Sequence, residues 1–247
     1  MVVQKKIVWN AVNVAFFWKS YLGNPKNHGA WMSEGSSEAI TKKMKEILPG
    51  RFLSDPKSIC DWGYGTGNFA KAFAAKGHTV FGLDQNEVVS QIPRDLDQFI
   101  GISDSILISD EELDLVYALE VIEHIIDSEI QRTFSEWRRI LKKNGYLLLT
   151  TPNDENLEEN SIFCPNCETQ FHTVQHVRSL SVNSISEMLE KNGFEVERVW
   201  LGEFFFATRR GFIIELLRKV WFVIRRIRER RNNNLKQPHM MVLCKLK

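Results

Sequence analysis

The sequence predicts an α/β fold, a mainly parallel sheet covered on both faces by helices. Two observations carry that expectation. Short apolar strands alternate with helix-length segments from Ser58 to Thr151, and again from Ser184 to Leu201. A glycine-rich run, Gly63-Tyr-Gly65-Thr-Gly67, stands between the first of those strands and the helix after it. Strand–helix alternation implies right-handed crossovers and parallel strands buried on both faces.

Residues 9–20 and 33–48 read as helices. The second opens at Ser33, with Ser36 and Ser37 as alternative caps, and stops at Pro49-Gly50. Ser58-Ile-Cys60 is a short strand, Asn68 to Ala75 a helix closed by Gly77, and His78 to Leu83 a second strand. Gln98 to Ile102 and Leu113 to Leu119 supply the third and fourth. Ser128 to Leu141 is an amphipathic helix, and Asn144-Gly145 turns the chain into a fifth strand, Tyr146 to Thr151. After Pro152 the rhythm breaks, and residues 153–180 read as a polar, irregular loop. A helix from Ser184 to Lys191, closed by Gly193, and a strand from Phe194 to Leu201 resume it. Met240 to Lys245 reads as a further strand.

With 247 residues, 43% of them hydrophobic and 26% charged, the chain can bury one substantial core. No run approaches the ~20 apolar residues that span a bilayer. The apolar run near the N-terminus is broken by Asn10, Asn13 and Lys19 and lacks a small-residue cleavage site, which argues against a signal peptide. Four cysteines, two of them scattered, make no disulfide framework, so a reducing cytoplasm is expected.

The glycine run sits where a nucleotide would bind, because glycines let the backbone turn sharply at a helix N-terminus. Asp84 closes the next strand, where a carboxylate can accept hydrogen bonds from both hydroxyls of a ribose; its plainer reading is a helix cap. A dinucleotide dehydrogenase is the natural competitor, and two features oppose it. Asp61, just before the glycines, would repel a pyrophosphate but attract the ammonium of an amino-acid-like ligand. The run also lacks a third glycine at the spacing that close helix packing needs.

Ile59-Cys-Asp-Trp-Gly-Tyr-Gly-Thr-Gly67 resembles the first motif of the Rossmann-like (class I) S-adenosylmethionine-dependent methyltransferases. Asp114-Leu-Val-Tyr-Ala-Leu-Glu-Val-Ile-Glu-His-Ile125 resembles their fourth-strand motif, and Arg139 to Asn153 the helix and strand that follow. With Gly193-Phe194, the resemblance covers about residues 55–200. It implies a doubly wound, mainly parallel seven-stranded sheet with one antiparallel strand. It also implies an N-terminal helical lid over residues 1–50 and a methyltransferase domain over 51–247, with S-adenosylmethionine as cofactor. Asp61, Gly63, Gly65 and Gly67 would hold its methionine moiety, Asp84 its ribose and Asp104 its adenine, with Glu120 at the pocket.

Glu120-Val-Ile-Glu123-His124 begins at the carboxyl edge of the sheet, where ligands bind. If the segment is helical, the two carboxylates fall one turn apart and converge. The box can be a metal site, a general base or a polar rim that only closes the pocket. It resembles that of the ubiquinone-biosynthesis O-methyltransferases and the small-RNA 3′-terminal 2′-O-methyltransferases. By that resemblance Glu120, Glu123, His124 and His176 gather a divalent ion, Mg2+ or Zn2+, that activates a hydroxyl. Without a metal, His124 or His176 serves as the base. Cys164-Pro-Asn-Cys167 followed by His172 and His176 has zinc-knuckle spacing. With His176 assigned to the catalytic cluster, Cys164, Cys167 and His172 remain as a candidate zinc site lacking a fourth ligand; the alternatives are a Cys2His2 zinc site that takes His176, orders the substrate loop and leaves His124 as base, and free thiols.

The net charge of +1 hides a basic segment. Residues 209–231 carry nine Lys/Arg against two Glu, leaving 23 basic and 29 acidic residues elsewhere. On a helical wheel Phe212, Ile213, Leu216, Leu217, Val220, Trp221, Val223, Ile224 and Ile227 share one arc; Glu215, Arg218, Lys219, Arg225, Arg226 and Glu229 oppose them. That pattern fits an interfacial amphipathic insertion at about 205–236, or a helix packed on the body with its basic face solvated. The apolar face is larger than a phosphate-tracking helix needs, which speaks against nucleic acid. The expected activity is therefore O-methylation of a small, lipid-linked or glycan hydroxyl, in a cytoplasmic protein with peripheral membrane contact through 211–231. N-methylation without metal, and a non-catalytic zinc- or nucleic-acid-binding module on the same fold, are the alternatives. Flotation separates the two readings of the basic segment. A membrane-facing helix carries the full chain up with anionic liposomes and its removal (211–231) abolishes this; equal recovery in the soluble fraction ends the membrane reading.

Overall fold

The computed structural model describes residues 5–24, 34–84, 98–102, 104–202 and 238–247. The basic segment 209–231 therefore lies outside the described residues, as does Ser33. Strand β1 is Lys5–Lys6, and helices α1 and α2 are Ala11–Leu22 and Glu34–Ile47. The α/β core then runs β2 (Ser58–Trp62), α3 (Asn68–Ala74), β3 (Thr79–Leu83), β4 (Phe99–Ile102), β5 (Leu113–Leu119), α4 (Asp127–Ile140) and β6 (Leu141–Pro152). It continues through β7 (Ser161–Cys164), β8 (Thr169–His172), α5 (Val182–Lys191), β9 (Phe194–Gly202) and β10 (His239–Leu246).

The main sheet has seven strands in the order β4-β3-β2-β5-β6-β10-β9, doubly wound and parallel except for β10, which runs antiparallel to both β6 and β9. This is the seven-stranded arrangement with one antiparallel strand that the sequence implies. The order reverses between β2 and β5, so the loops after these strands flank a crevice at the carboxyl edge. β2 and β5 are buried along most of their length because helices cover both faces. One face packs α4 and α5 through Phe134, Trp137, Ile140, Ile185 and Leu189; the other packs α2 and α3 through Ile40, Met44, Ile47 and Phe73. Asn144 takes a positive φ of 68° beside Gly145, and the β5–β6 register shifts there, so the expected turn is absorbed into β6 as a bulge.

One expectation is corrected. Residues 153–180 are not irregular throughout: β7 and β8 form an antiparallel hairpin, and β1 adds to β8 in parallel, making a separate three-stranded sheet. The alternation of a half-buried strand is hidden there, since neither β7 nor β8 offers more than four residues. In α2, Ile40, Met44 and Ile47 are buried and join the sheet core. Helix α1 lies over the carboxyl edge, capped by Asn10, whose side chain accepts from the Val12 and Asn13 amides. No helix among the described residues is long and apolar enough to cross a membrane.

Met44→Ala should therefore lower unfolding stability by about 2–5 kcal/mol, the cost of a buried methionine. Val12→Ala, at an 80% exposed position of α1, should change it by less than about 0.5 kcal/mol. Urea denaturation of the two variants checks both values.

Candidate active site

The glycine loop is held in a shape that side chains resist. Gly63, Gly65 and Gly67 have φ values of 80°, 51° and 75°, and a Cβ on Gly63 would lie 2.7 Å from Cγ2 of Val121. The loop spends its own amides. Gly63 N–H donates to the Leu83 carbonyl, Gly65 N–H to Oδ2 of Asp84, and Gly67 N–H to the Tyr64 carbonyl. A phosphate cradle needs such amides free and pointed outward, so this loop is shaped for a different ligand.

Asp61 lies beneath the loop, 3% exposed, with its Oδ2 lacking a hydrogen-bond partner. Burial pushes its pKa up to about 8, and the Asp84 charge adds to the shift, while the neighbouring Tyr117 hydroxyl and Ala70 amide work against it. A cavity of about 500 Å³ opens above, lined by Gly63, Gly65, Asp84 and Asp104 at one end and by Glu120 and His124 at the other. Trp18, Val14 and Leu22 of α1 roof it. Asp104 also caps the short turn after β4, accepting from the Ile106 amide at 3.1 Å.

The Glu-x-x-Glu-His box is a hydrogen-bonded turn, His124 N–H to the Val121 carbonyl, rather than the start of a helix. Glu120 enters it with a φ of 54°, a conformation non-glycine residues seldom adopt, so local strain aims its side chain into the cavity. Segment 175–178 runs alongside. Val177 N–H donates to the Glu123 carbonyl, and the Arg178 guanidinium reaches the Ile125 carbonyl and Asp127. Gln175, fully buried, donates to the His124 carbonyl at 3.0 Å and accepts from Trp18 Nε1 at 2.7 Å, which ties the α1 roof to the floor.

These contacts gather a cluster. Glu123, His124 and His176 each place a ligand-capable atom within 4.8 Å of the others, and so do Glu155, His172 and His176. Both oxygens of Glu123 and Nδ1 of His124 are buried without hydrogen-bond partners. His239, at the start of β10, sets Nε2 3.6 Å from Oε2 of Glu120. Burial raises Glu123 well above the carboxylate range and Glu120 to about 8; it lowers His124 to about 3 and His239 to about 4.

A family model described as a methyltransferase domain matches residues 32–199. The chain belongs to that family. A probable S-adenosylmethionine-dependent methyltransferase of Mycolicibacterium smegmatis is 32% identical over 165 residues, 65% of this chain and 58% of the relative. A putative methyltransferase of Geobacillus sp. strain WCH70 is 28% identical over 172 residues, 62% of this chain and 63% of the relative. The matched stretch thus spans less than two thirds of either relative. Among solved structures, a Burkholderia thailandensis 1,6-didemethyltoxoflavin N1-methyltransferase bound to its substrate and S-adenosylhomocysteine superposes with a TM-score of 0.63. It shares 12% identity, over 98% of this chain and 93% of that one. An S-adenosylmethionine-dependent methyltransferase of Archaeoglobus fulgidus gives 0.57 at 18% identity, covering 93% and 98%. At such identities the likeness speaks for the fold of the methyltransferase domain.

Of the residues singled out by sequence, Gly63, Gly65, Asp84, Asp104, Glu120 and His124 line one cavity, Asp61 and Gly67 belong to its loop, and Glu123 and His176 stand behind its wall. The proposed grouping of His172 with Cys164 and Cys167 does not form. In the hairpin Cys164 pairs with Thr169 and Ser161 with His172, three residue steps away, or about 10 Å. His172 is buried against Glu155 and His176, while Cys167 is exposed at the hairpin turn. Glu155 and His239 were missed by sequence reasoning. Each stands where a strand meets the carboxyl edge, Glu155 three residues after β6 and His239 where antiparallel β10 begins. That position was the available signal.

Asp61 gives a pH signature for the ligand-free protein. Its ordinary pKa of 3.8 becomes about 8 on folding, so the folded state keeps a proton that the unfolded chain has released. Stability is highest below the lower value and falls as pH climbs toward 8. The depressed His124 and His239 contribute the opposite slope, but only below their ordinary 6.5. Between pH 6.5 and 8 stability should therefore decline, and Asp61→Asn should remove up to about 1.4 kcal/mol per pH unit of that decline. Chemical denaturation across this range is the measurement.

Proposed function

We propose that the protein is an S-adenosylmethionine-dependent methyltransferase acting on a hydroxyl of a small amphiphilic acceptor, with a divalent cation at Glu120, Glu123, His124 and His176. The observation that carries the donor half is Asp61: a buried carboxylate with an unpartnered oxygen, under a loop whose glycine amides are already used. Such a site suits the ammonium of a methionine moiety and repels a pyrophosphate. Asp84 would accept from the ribose hydroxyls and Asp104 from the adenine amine. Sequence relatives named as methyltransferases support this reading.

The acceptor half rests on the cluster. A carboxylate buried to 1% exposure with no hydrogen bond to either oxygen fits a cation ligand, and mixed imidazole and carboxylate donors suit a divalent metal. A bound cation supplies Lewis acidity that lowers the pKa of the acceptor hydroxyl. The chain's own residues do the positioning. Asp61 and Asp84 would hold the donor, Glu120 and His124 line the same cavity as Asp84, and Trp18, Val14 and Leu22 of α1 line it too and would exclude water. Holding donor methyl and acceptor oxygen in line is the main source of rate in such a transfer. The apolar roof favours an aromatic or lipid-linked acceptor over a free sugar, and the basic pattern of residues 211–231 agrees with one presented at an anionic membrane.

Calorimetry with S-adenosylhomocysteine, followed by labelled methyl transfer to a panel of catechols, prenylated phenols and amines with Mg2+, Mn2+ or Zn2+, tests both halves. S-adenosylhomocysteine should bind, and Asp61→Ala should weaken it roughly 10- to 100-fold, the worth of one charge-assisted contact. Transfer should favour hydroxyls and fail in Glu123→Ala. No binding would end the donor reading; activity indifferent to exhaustive chelation and to Glu123→Ala would end the metal reading and leave N-methylation.

A further inference from the structure

His176 belongs to both of the side-chain groups described above, and its ring lies between those of His124 and His172. Nδ1 makes a short contact with Oε2 of Glu155. The other oxygen of Glu155, Oε1, lies 3.3 Å from Nε2 of His172 and accepts from the Asn160 amide at 3.0 Å. The tautomer of His172 is fixed by its backbone: Nδ1 accepts N–H groups from His176 at 3.2 Å and Val174 at 3.4 Å. An imidazole nitrogen that accepts carries no proton, so the neutral ring bears its hydrogen on Nε2, facing Glu155. His172 thereby points a donor, not a lone pair, at the carboxylate.

Donors converge on Glu155: the Asn160 amide and the Nε2–H of His172 both face Oε1, and Nδ1 of His176 faces Oε2. A carboxylate surrounded in this way acts as an acceptor through both oxygens, so the Nδ1 it meets on His176 carries the proton. The rings of His172 and His176 stack at 4.4 Å and 14°, which keeps both edges turned to the same carboxylate. The ring of His176 meets that of His124 at 4.7 Å.

From this geometry we infer that His172 and Glu155 are positioning residues: together they fix His176 as its Nδ1–H tautomer and leave its Nε2 lone pair open to the Glu123–His124 side. The inference deepens the metal reading proposed above and rests on it for its use. A histidine that donates one ring N–H to a carboxylate is oriented and made more basic as a ligand through the other nitrogen. It also removes His172 from the ligand set, since a ring protonated at Nε2 has no lone pair directed into the cluster. The hairpin β7–β8 thus acts on the site through a carboxylate rather than by direct coordination. Charge balance agrees: the negative charge of Glu155 lies behind His176, where it strengthens the Nε2 lone pair.

Long-range 1H–15N correlation of the histidine rings in the metal-free protein decides this in the wild type, with no substitution needed. The expected spectrum shows His176 protonated at Nδ1 and His172 at Nε2. His176 protonated at Nε2, or His172 at Nδ1, overturns the inference whatever the protein binds. In Glu155→Gln the expected change is a move of His176 to the Nε2–H form. Zn2+ affinity by calorimetry should then fall roughly 10- to 100-fold, with S-adenosylhomocysteine affinity unchanged. Glu155→Asp, which keeps the acceptor charge, should recover part of the Zn2+ affinity. Wild-type affinity retained in Glu155→Gln overturns the positioning role. A wild-type protein that shows the expected tautomers but binds neither Zn2+ nor Mg2+ upholds the relay and removes only the metal reading.

Discussion

Ionisable groups are expensive to bury, and this fold gathers seven of them, buried or partly buried, at the carboxyl edge of its sheet. Glu120, Glu123 and Glu155 meet His124, His172, His176 and His239 where β5, β6 and β10 come together. An isolated buried charge costs several kcal/mol, so such a group either pairs, takes its neutral form or holds an ion. All three responses are present. Glu155 pairs with two histidines, His124 and His239 are driven toward the neutral form, and Glu123 keeps two oxygens with no hydrogen bond. Much of the surrounding structure encloses these groups: the α1 roof, the β7–β8 hairpin behind, and the strained entry at Glu120.

The glycine loop and the cluster divide one cavity between them, and each end selects by charge. The loop side offers a buried carboxylate with an unpartnered oxygen and glycine amides already bonded, an arrangement that suits a cationic group better than a phosphate. The cluster end offers lone pairs and carboxylates beside an aromatic roof. Gln175 joins the two halves mechanically, since one buried amide holds both Trp18 above and the His124 backbone below. A displacement of α1 therefore cannot leave the His124 turn undisturbed.

How much was legible in the sequence depended on whether the physics was local. The strands and helices of the main sheet carry their own periodicity, so β2, β3, β5, α4, α5 and β9 fall within a few residues of their expected bounds. The glycine loop was legible because positive φ restricts the residue type at that spot. The hairpin was not, because β7 and β8 are four residues long and gain their partner strand β1 from more than 150 positions away. The zinc-knuckle spacing of Cys164, Cys167 and His172 misled for a related reason: spacing assumes a compact turn, and the chain is extended between Thr169 and His172. Glu155 and His239 escaped notice because neither sits in a local motif. Only the sheet order, which places β10 against β6, brings His239 to Glu120.

That sheet order bears on the sequence of assembly. β10 is the last described strand along the chain, yet it lies inside the sheet, hydrogen-bonded to β6 on one side and β9 on the other. Among the described residues β10 is the strand that joins β9 to the sheet, and it arrives after 36 intervening residues from Gly202 to His239. The half of the sheet from β4 to β6 is built largely from successive strand–helix units and can form while that stretch is still being made. Closing the loop back to β10 carries an entropy cost that is met only when its two ladders form together. His239 rides on the first residue of that strand, so the buried cluster acquires its final member in the same event that closes the sheet. A nascent chain would hold a nearly complete glycine-loop crevice before it held the finished buried cluster.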